Sequence, residues 1–352
     1  MNKKVFSKKI IAWYEENKRS LPWRQTRDPY KIWLSEVILQ QTRIAQGLPY
    51  YLSFVKTFPT VKSLAIAPED KVLRLWQGLG YYSRARNLHA CAKKIDKEYS
   101  GKFPASFEEL KKLPGIGDYT AAAIASIAFQ IPVAVVDGNV FRVLSRIFGI
   151  EEEISSNKGK AVFMAKANSL IPADRPDVFN QAVMEFGALH CTPQNPGCLS
   201  CVFAKDCVAN IHEIQNLLPV KIPKQKIKKR YLNYLVIQQK GKLLMRKRGP
   251  GDIWNGLYDF PLIETKKAVR SSEIWKHKKE IKLTIDSTAG RYKHLLSHQH
   301  LIVQFVLATI PIVPLKALIK RENLSFYSKK EIEKLPKPIV INRFLRESEF
   351  LK

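Results

Sequence analysis

Hydrophobic positions in the first 217 residues recur at the spacing of amphipathic helices. The periodic segments are short, and proline or glycine separates them. They lie at 32–42, 49–58, 69–80, 83–95, 106–113, 118–129 and 139–148. This pattern predicts an all-α domain over residues 1–217.

The pattern changes after residue 230. Alternating and β-branched runs follow at 231–239, 242–248 and 300–310, with turn signals at 248–252 and 254–256 between them. We therefore expect a second domain of the α+β class over residues 231–352. The stretch between the domains, 218–230, holds six basic residues, two prolines and no acid, which is typical of a linker.

The charge balance indicates a polyanionic partner. The chain has 59 Lys and Arg against 31 Asp and Glu, a formal charge of +28. An excess of this size favours nucleic acid over other partners. No apolar run reaches the roughly 20 residues that a membrane span needs, and the charged N-terminus does not resemble a signal peptide. We expect a cytoplasmic protein without a membrane partner.

Four of the five cysteines lie close together, with gaps of six, two and five residues between them. They are Cys191, Cys198, Cys201 and Cys207. Thiolates favour zinc or iron–sulfur, and zinc sites usually have two close Cys pairs or Cys with His, whereas here a single close pair occurs. The spacing therefore favours an iron–sulfur cluster, with zinc as the alternative. Disulfides are rare in the reducing cytosol.

Residues 113–125, LPGIGDYTAAAIA, predict a helix-hairpin-helix. Gly115 and Gly117 would let backbone N–H groups approach a phosphate, and the next helix would add the partial positive charge of its N-terminus. Such a turn can hold the DNA backbone without reading its sequence. Plain packing of two helices joined by a glycine turn is the alternative.

Two carboxylates are candidates for acid and electrostatic catalysis. Asp137 precedes a helix that begins near Asn139, so it can cap that helix and should stay ionised. Glu36 lies in an apolar helical stretch, where burial would raise its pKa; pairing with Arg43 is the alternative. One neutral acid and one anion form the pair that cleaves glycosidic bonds.

In this order, the hairpin, the VDGNV stretch at 136–140 and the cysteine loop resemble the endonuclease III superfamily of base-excision DNA glycosylases. The resemblance implies a four-iron four-sulfur cluster on the four cysteines. We expect this cluster to have a structural or DNA-positioning role, with Lys205 and neighbouring basic residues facing phosphate. Bifunctional members carry a lysine at the position of Tyr119, so the resemblance also implies a monofunctional glycosylase.

The stretches 21–24, 35–43 and 77–88 are similar to those of adenine DNA glycosylases of the MutY type, and the likeness spans essentially the whole chain. It implies a monomer that removes adenine opposite 8-oxoguanine or guanine in double-stranded DNA. Glu36 would protonate adenine N7 and Asp137 would stabilise the oxocarbenium ion. The implied supporting groups are Tyr119, Arg24 and Asn139, and the implied wedges in the duplex are Gln41, Leu79 and Tyr81.

The second domain resembles the Nudix-like domain of this family, through WNGLYDFPLIE at 254–264. The run after Gly256 lacks the metal-binding pattern of Nudix hydrolases, so we expect a reader of 8-oxoguanine without hydrolase activity. The family has Phe-Ser-His where this chain has Leu296, Ser297 and His298. Ser297 and His298 would then contact DNA at the lesion.

Three other functions compete with this interpretation. An endonuclease III-like lyase would need an amine at the hairpin. A silent lesion-binding protein would not need both carboxylates. A zinc-bearing DNA-binding module would be colourless, whereas an iron–sulfur protein is brown.

Overall fold

The computed structural model describes residues 2–222, 227–277, 283–296, 299–348 and 350. They fall into two compact units. The first comprises Met1–Ile66 and Asn87–Pro223, and the second comprises Ala67–Arg86 and Lys224–Lys352. None of the helices in the described residues is both long and apolar enough to cross a membrane.

The first part of the chain is helical, as the periodicity predicts. Its helices are α1 Lys3–Asn17, α2 Pro29–Leu39, α3 Ile44–Thr57, α4 Val61–Ala65, α5 Glu69–Leu75, α6 Tyr82–Glu98, α7 Phe107–Lys111, α8 Asp118–Phe129, α9 Gly138–Phe148, α10 Asn157–Leu170, α11 Pro176–Leu189 and α12 Val208–Ile211. The segment predicted as one helix over 69–80 stops earlier, because the chain turns through Gly78 and Gly80, both at positive φ.

The core of the first unit forms where α1, α9 and α11 meet. Phe6 on α1 is fully buried, and its ring packs against Phe148, Phe179 and Phe203. Phe203 belongs to the cysteine loop, so this loop is anchored directly to the core. A separate contact joins α2 to α8, on which four alanines, at 121, 122, 123 and 125, are fully buried and permit a close approach.

The second unit has two sheets, which agrees with the predicted α+β class. The strands are β1 Lys228–Val236, β2 Gln238–Gln239, β3 Lys242–Lys247, β4 Tyr258–Asp259, β5 Leu262–Thr265, β6 Thr284–Leu295, β7 Gln299–Thr309 and β8 Ser325–Tyr327. One sheet has the order β5-β1-β7-β6, with β1 and β7 parallel; the other is β2-β3-β4 with β8 on β3. After the strands, the described residues of this unit include α13 Ile312–Glu322, α14 Lys329–Lys334 and α15 Ile339–Glu347.

The proposed linker at 218–230 overlaps the second unit at its end, since β1 begins at Lys228. Residues 223–226 of this stretch lie outside the described ranges. The domain boundaries at 217 and 231 stay predictions.

Segment 67–86 is held to the second unit by specific polar contacts. Lys247 Nζ lies 2.7 Å from Asp70 Oδ1, and Arg86 Nη1 donates to the carbonyl of Asn255 at 2.6 Å. The sequence places this segment between helices of the first unit. It therefore brings residues from the first part of the chain into the second unit.

Candidate active site

Glu36 and Tyr119 meet where α2 packs on α8. The Tyr119 hydroxyl donates to Glu36 Oε2 at 2.5 Å. Burial raises the pKa of Glu36 to about 7, even though this hydrogen bond lowers it; the nearby charge of Asp137 also raises it. Tyr119, rather than the alternative Arg43, is the hydrogen-bond partner in the described part of the chain.

Asp137 caps the N-terminus of α9, as predicted. Its Oδ1 accepts the backbone N–H groups of Asn139 at 2.9 Å and Val140 at 2.8 Å, and its Oδ2 accepts Asn139 Nδ2 at 2.9 Å. We expected these groups to favour the ionised form. Burial nevertheless raises the pKa of Asp137 above its ordinary value, because desolvation outweighs the three hydrogen bonds that lower it.

Both carboxylates line one cavity of about 610 Å³ in the first unit. Its wall includes all five residues predicted to be catalytic: Arg24, Glu36, Tyr119, Asp137 and Asn139. The volume of about 610 Å³ lies within the range of about 300–1,000 Å³ typical of small-molecule pockets. The fold thus brings together groups that are separated by more than 100 positions in the sequence.

Glu185 is a wall residue that the sequence analysis missed. Its side chain is 1% exposed, and its carboxylate accepts bidentate hydrogen bonds from Arg24 at 2.8 and 2.7 Å and from Arg19 at 2.8 and 2.5 Å. Burial raises the pKa of Glu185, but these bonds prevail and lower it to about 2. An acid within the apolar helix at 176–189 was the available signal, the same one that marked Glu36.

Arg142 was also missed, and it links the cavity to the cysteine loop. This buried side chain lies on α9, the helix that Asp137 caps. Its Nη2 donates to Asn139 Oδ1 at 2.7 Å and its Nε donates to the carbonyl of Cys191 at 2.7 Å. The position of the Asn139 side chain therefore depends on the backbone of the first cysteine.

Four cysteine side chains line one small cavity, those of Cys191, Cys198, Cys201 and Cys207. Three N–H groups point at sulfurs: Phe203 N lies 3.4 Å from Cys201 Sγ, Arg146 Nη1 3.5 Å from Cys191 Sγ, and Gln215 Nε2 3.9 Å from Cys198 Sγ. Among the described residues no three His, Cys, Asp or Glu side chains converge as a site for a metal ion.

The donor set fits an iron–sulfur cluster better than a single zinc ion. One ion requires its thiolates to converge at about 2.3 Å from a common centre. A polynuclear cluster instead takes each thiolate on a different iron, so its ligands surround a cavity. The N–H donors to sulfur are the hydrogen bonds that such clusters use.

The predicted hairpin turn lies between α7 and α8. Gly115 is exposed and has φ +74°, and a Cβ there would lie 2.7 Å from Asn87 Cβ. Gly117 is exposed and is the N-cap of α8, with open space around the position of a Cβ. Both backbones are thus accessible at the N-terminus of a helix.

Leu79 and Tyr81 line a second cavity, of about 530 Å³, within the second unit. Trp254, His294 and Leu296 line it too. Leu79 is 6% exposed and Tyr81 is 40% exposed, so only the tyrosine presents a large surface. The predicted wedge segment and the end of β6 therefore meet at one pocket.

Gln41, another residue predicted to bind DNA, does not line this cavity. Gln41 is exposed and lies two residues after the end of α2, with φ +55°. Ser297 and His298 lie outside the described residues; Leu296, which precedes them, ends the described stretch at 296.

Comparisons with known proteins agree with this architecture. Residues 34–172 match the HhH-GPD superfamily of base excision DNA repair proteins, and residues 233–347 match the NUDIX domain. The adenine DNA glycosylase of Buchnera aphidicola (Schizaphis graminum) is 36% identical over 324 residues, which cover 92% of this chain and 89% of that relative. The human adenine DNA glycosylase is 44% identical over 214 residues, 58% of this chain and 39% of the human protein.

Solved structures resemble the helical part. A thermostable thymine-DNA glycosylase is 30% identical with a TM-score of 0.56, covering 60% of this chain and 97% of that one. A trapped endonuclease III–DNA covalent intermediate, at 22% identity and a TM-score of 0.52 over 61% of this chain and 99% of that one, shares the fold.

Proposed function

Because the chain belongs to the adenine DNA glycosylases, enzymes of base excision repair, we propose that it hydrolyses the N-glycosidic bond of adenine mispaired with 8-oxoguanine or guanine. The observation that carries the proposal is the shared cavity, where a carboxyl group with a pKa near 7 faces a second, helix-capped carboxylate.

Glu36 is the general acid in this proposal. With a pKa of about 7 it is substantially protonated at neutral pH, and it gives its proton to N7 of the extruded adenine. The bond from the sugar C1′ to adenine N9 then breaks, and its electron pair leaves with the base. Such acid help is typically worth about a hundredfold to ten-thousandfold in rate.

Asp137 stabilises the cationic sugar. Its carboxylate is held by the N-terminus of α9 and by the Asn139 amide, so it needs no reorganisation as positive charge develops at C1′. Water completes the hydrolysis, either directly or after a transient Asp137 adduct, and both routes use the same groups.

Arg24 lies in the wall of the same cavity, and Glu185 balances its charge. Its positive charge lowers the pKa of Glu36, and Glu185 both holds and neutralises that charge. Glu185 thereby helps to keep Glu36 protonated.

The enzyme acts as a monofunctional glycosylase in this proposal. A lyase needs an amine that forms a Schiff base with the sugar. Tyr119 occupies the hairpin position where bifunctional relatives would carry lysine, and the described cavity wall contains no lysine. We therefore expect strand breaks only after alkali treatment.

Recognition of the opposite base is assigned to the second unit. Tyr81 and Leu79 share the 530 Å³ cavity with Leu296, the neighbour of Ser297. We assign intercalation to Tyr81, reading of 8-oxoguanine to Ser297 and His298, and a further contact with the duplex to Gln41. The exposed glycines Gly115 and Gly117, with the N-terminus of α8, would hold the DNA backbone.

The four cysteines are proposed to hold a four-iron four-sulfur cluster. When bound, the cluster would crosslink the loop 191–207 and supply no acid or nucleophile to the reaction. The chain's own contribution is mechanical, since Phe203 anchors the loop to the core and Arg142 ties it to Asn139. Iron and sulfide content and absorption of visible light by the purified protein test this assignment.

The deciding experiment uses duplexes with one adenine opposite 8-oxoguanine, guanine or thymine, each assayed with and without hot alkali. We expect alkali-dependent breaks at adenine opposite 8-oxoguanine and guanine, and none opposite thymine. Glu36→Gln is the matched control for the acid and should lower the excision rate by roughly a hundredfold to ten-thousandfold without loss of DNA binding. Breaks without alkali would refute the monofunctional assignment, and full activity of Glu36→Gln would refute the acid.

A further inference from the structure

We propose that His190 donates a hydrogen bond from Nε2 to a sulfur of the cluster and thereby raises the reduction potential of the cluster. The inference rests on the cofactor assignment under the proposed function. His190 takes no part in the proposed glycosylase chemistry and is not one of the four cysteine ligands.

The His190 ring is held firmly beside the cysteines. It follows α11 and directly precedes Cys191, and it stacks on Phe186 with 5.0 Å between ring centroids and 29° between planes. The edge of Trp13 closes another side at 6.1 Å. His190 lines the same cavity as the four cysteines, so its ring cannot turn away without losing these contacts.

Gly197 allows the cysteine loop to close over this ring. A Cβ at Gly197 would lie 3.3 Å from His190 Cε1, and the Gly197 N–H donates to the carbonyl of His190 at 3.3 Å. Cys198 follows immediately. The imidazole is therefore enclosed between its own helix and the segment that carries the second cysteine.

One buried polar atom in this enclosure has no hydrogen-bond partner among the described residues. Nε2 of His190 is buried and has no hydrogen-bond partner in the described part of the chain. Buried polar atoms rarely remain unsatisfied, because they lose water without a replacement. The cavity offers sulfur as the acceptor, and the other N–H donors at its wall already point at Cys191, Cys198 and Cys201.

The electronic consequence has a definite sign. An N–H directed at a cluster sulfur stabilises the more negative, reduced state, so the reduction potential rises. Loss of that N–H should move the potential to a more negative value. The effect on base excision should be small, since His190 does not line the 610 Å³ cavity.

The test begins with the intact wild-type chain carrying ¹⁵N-labelled histidine. Iron and acid-labile sulfide are measured first, and a chain that binds no iron overturns the cofactor assignment and this inference with it. Electron spin-echo modulation is then recorded on the cluster in a paramagnetic state. We expect a weak ¹⁵N coupling, the signature of a hydrogen bond. A strong coupling would make His190 an iron ligand, and no coupling would make it a packing residue; either result overturns the proposal.

Two variants test whether the ¹⁵N coupling comes from His190 and whether His190 changes the reduction potential. His190→Phe keeps the stacking and removes the N–H, so the coupling should vanish and the potential measured by voltammetry should fall. His190→Gln keeps an N–H donor and should recover part of the potential. An unchanged potential in iron-loaded His190→Phe contradicts the proposal, and if that variant loses iron, His190→Gln and the wild-type spectrum decide.

Discussion

The hydrogen bond from Tyr119 to Glu36 should lower the pH at which catalysis declines. Replacing Tyr119 with phenylalanine keeps the ring and removes the hydroxyl that donates to Glu36 Oε2 at 2.5 Å. This hydroxyl favours the ionised carboxylate, so its removal should raise the pKa of Glu36 from about 7. The acid must be protonated to act, and the variant should therefore stay active to higher pH.

The size of the change follows from the strength of the bond. A hydrogen bond to a charged group contributes about 1.5–3 kcal/mol. Each pKa unit corresponds to about 1.4 kcal/mol. The pKa of Glu36 should therefore rise by about one unit or more in Tyr119→Phe. The plateau rate should fall by less than the roughly hundredfold to ten-thousandfold loss expected when the acid itself is removed.

The assay is single-turnover excision of adenine from the 8-oxoguanine duplex, quenched with hot alkali, from mildly acidic to alkaline pH. Wild-type activity should decline as the pH rises through about 7, and the decline in Tyr119→Phe should come at higher pH. Glu36→Gln serves as the control, because its residual rate should not decline over this pH range. If the decline in Tyr119→Phe occurs at the same pH as in the wild type, or at lower pH, the reasoning is refuted.

Three further predictions concern the supports of the site. Arg142→Leu should lower the excision rate because it breaks the link from Asn139 to Cys191, and it should leave the iron content unchanged. Single-turnover rates and iron content check this. A wild-type excision rate in the variant would contradict it. Glu185 has a folded-state pKa of about 2 against an ordinary 4.5, so it contributes stability above pH 4.5 that is lost as the pH falls towards 2, about 3 kcal/mol in all. Denaturant unfolding of Glu185→Gln should lack this pH dependence, and an equal slope in both proteins would argue against the ion pair. Gly115→Ala should lower Tm, because Gly115 has a positive φ. Gly117→Ala should preserve Tm, because a Cβ there meets open space, but it should weaken DNA binding. Equal losses of Tm in the two variants would contradict this contrast.

The sequence by itself predicted the helical and α+β parts and the hairpin, and it singled out five residues that line the 610 Å³ cavity, but it missed Glu185 and Arg142. The reason is local: periodicity reports which face of an element is buried, and glycine or an N-capping acid marks a turn or a helix start. Asp137 and Glu36 could be singled out in this way, as a cap and as an acid in an apolar helix. Residue spacing likewise grouped the four cysteines.

Only the tertiary structure decided how these residues meet. The packing of α2 on α8 gives Glu36 a tyrosine partner instead of Arg43. Burial in the cavity raises the pKa of Asp137, although its hydrogen bonds to the N-terminus of α9 lower it. The ion pairs of Glu185 join positions more than 160 residues apart, and segment 67–86 joins the second unit although it lies early in the chain. Desolvation and long-range contacts depend on every neighbour in space, and no local pattern encodes them.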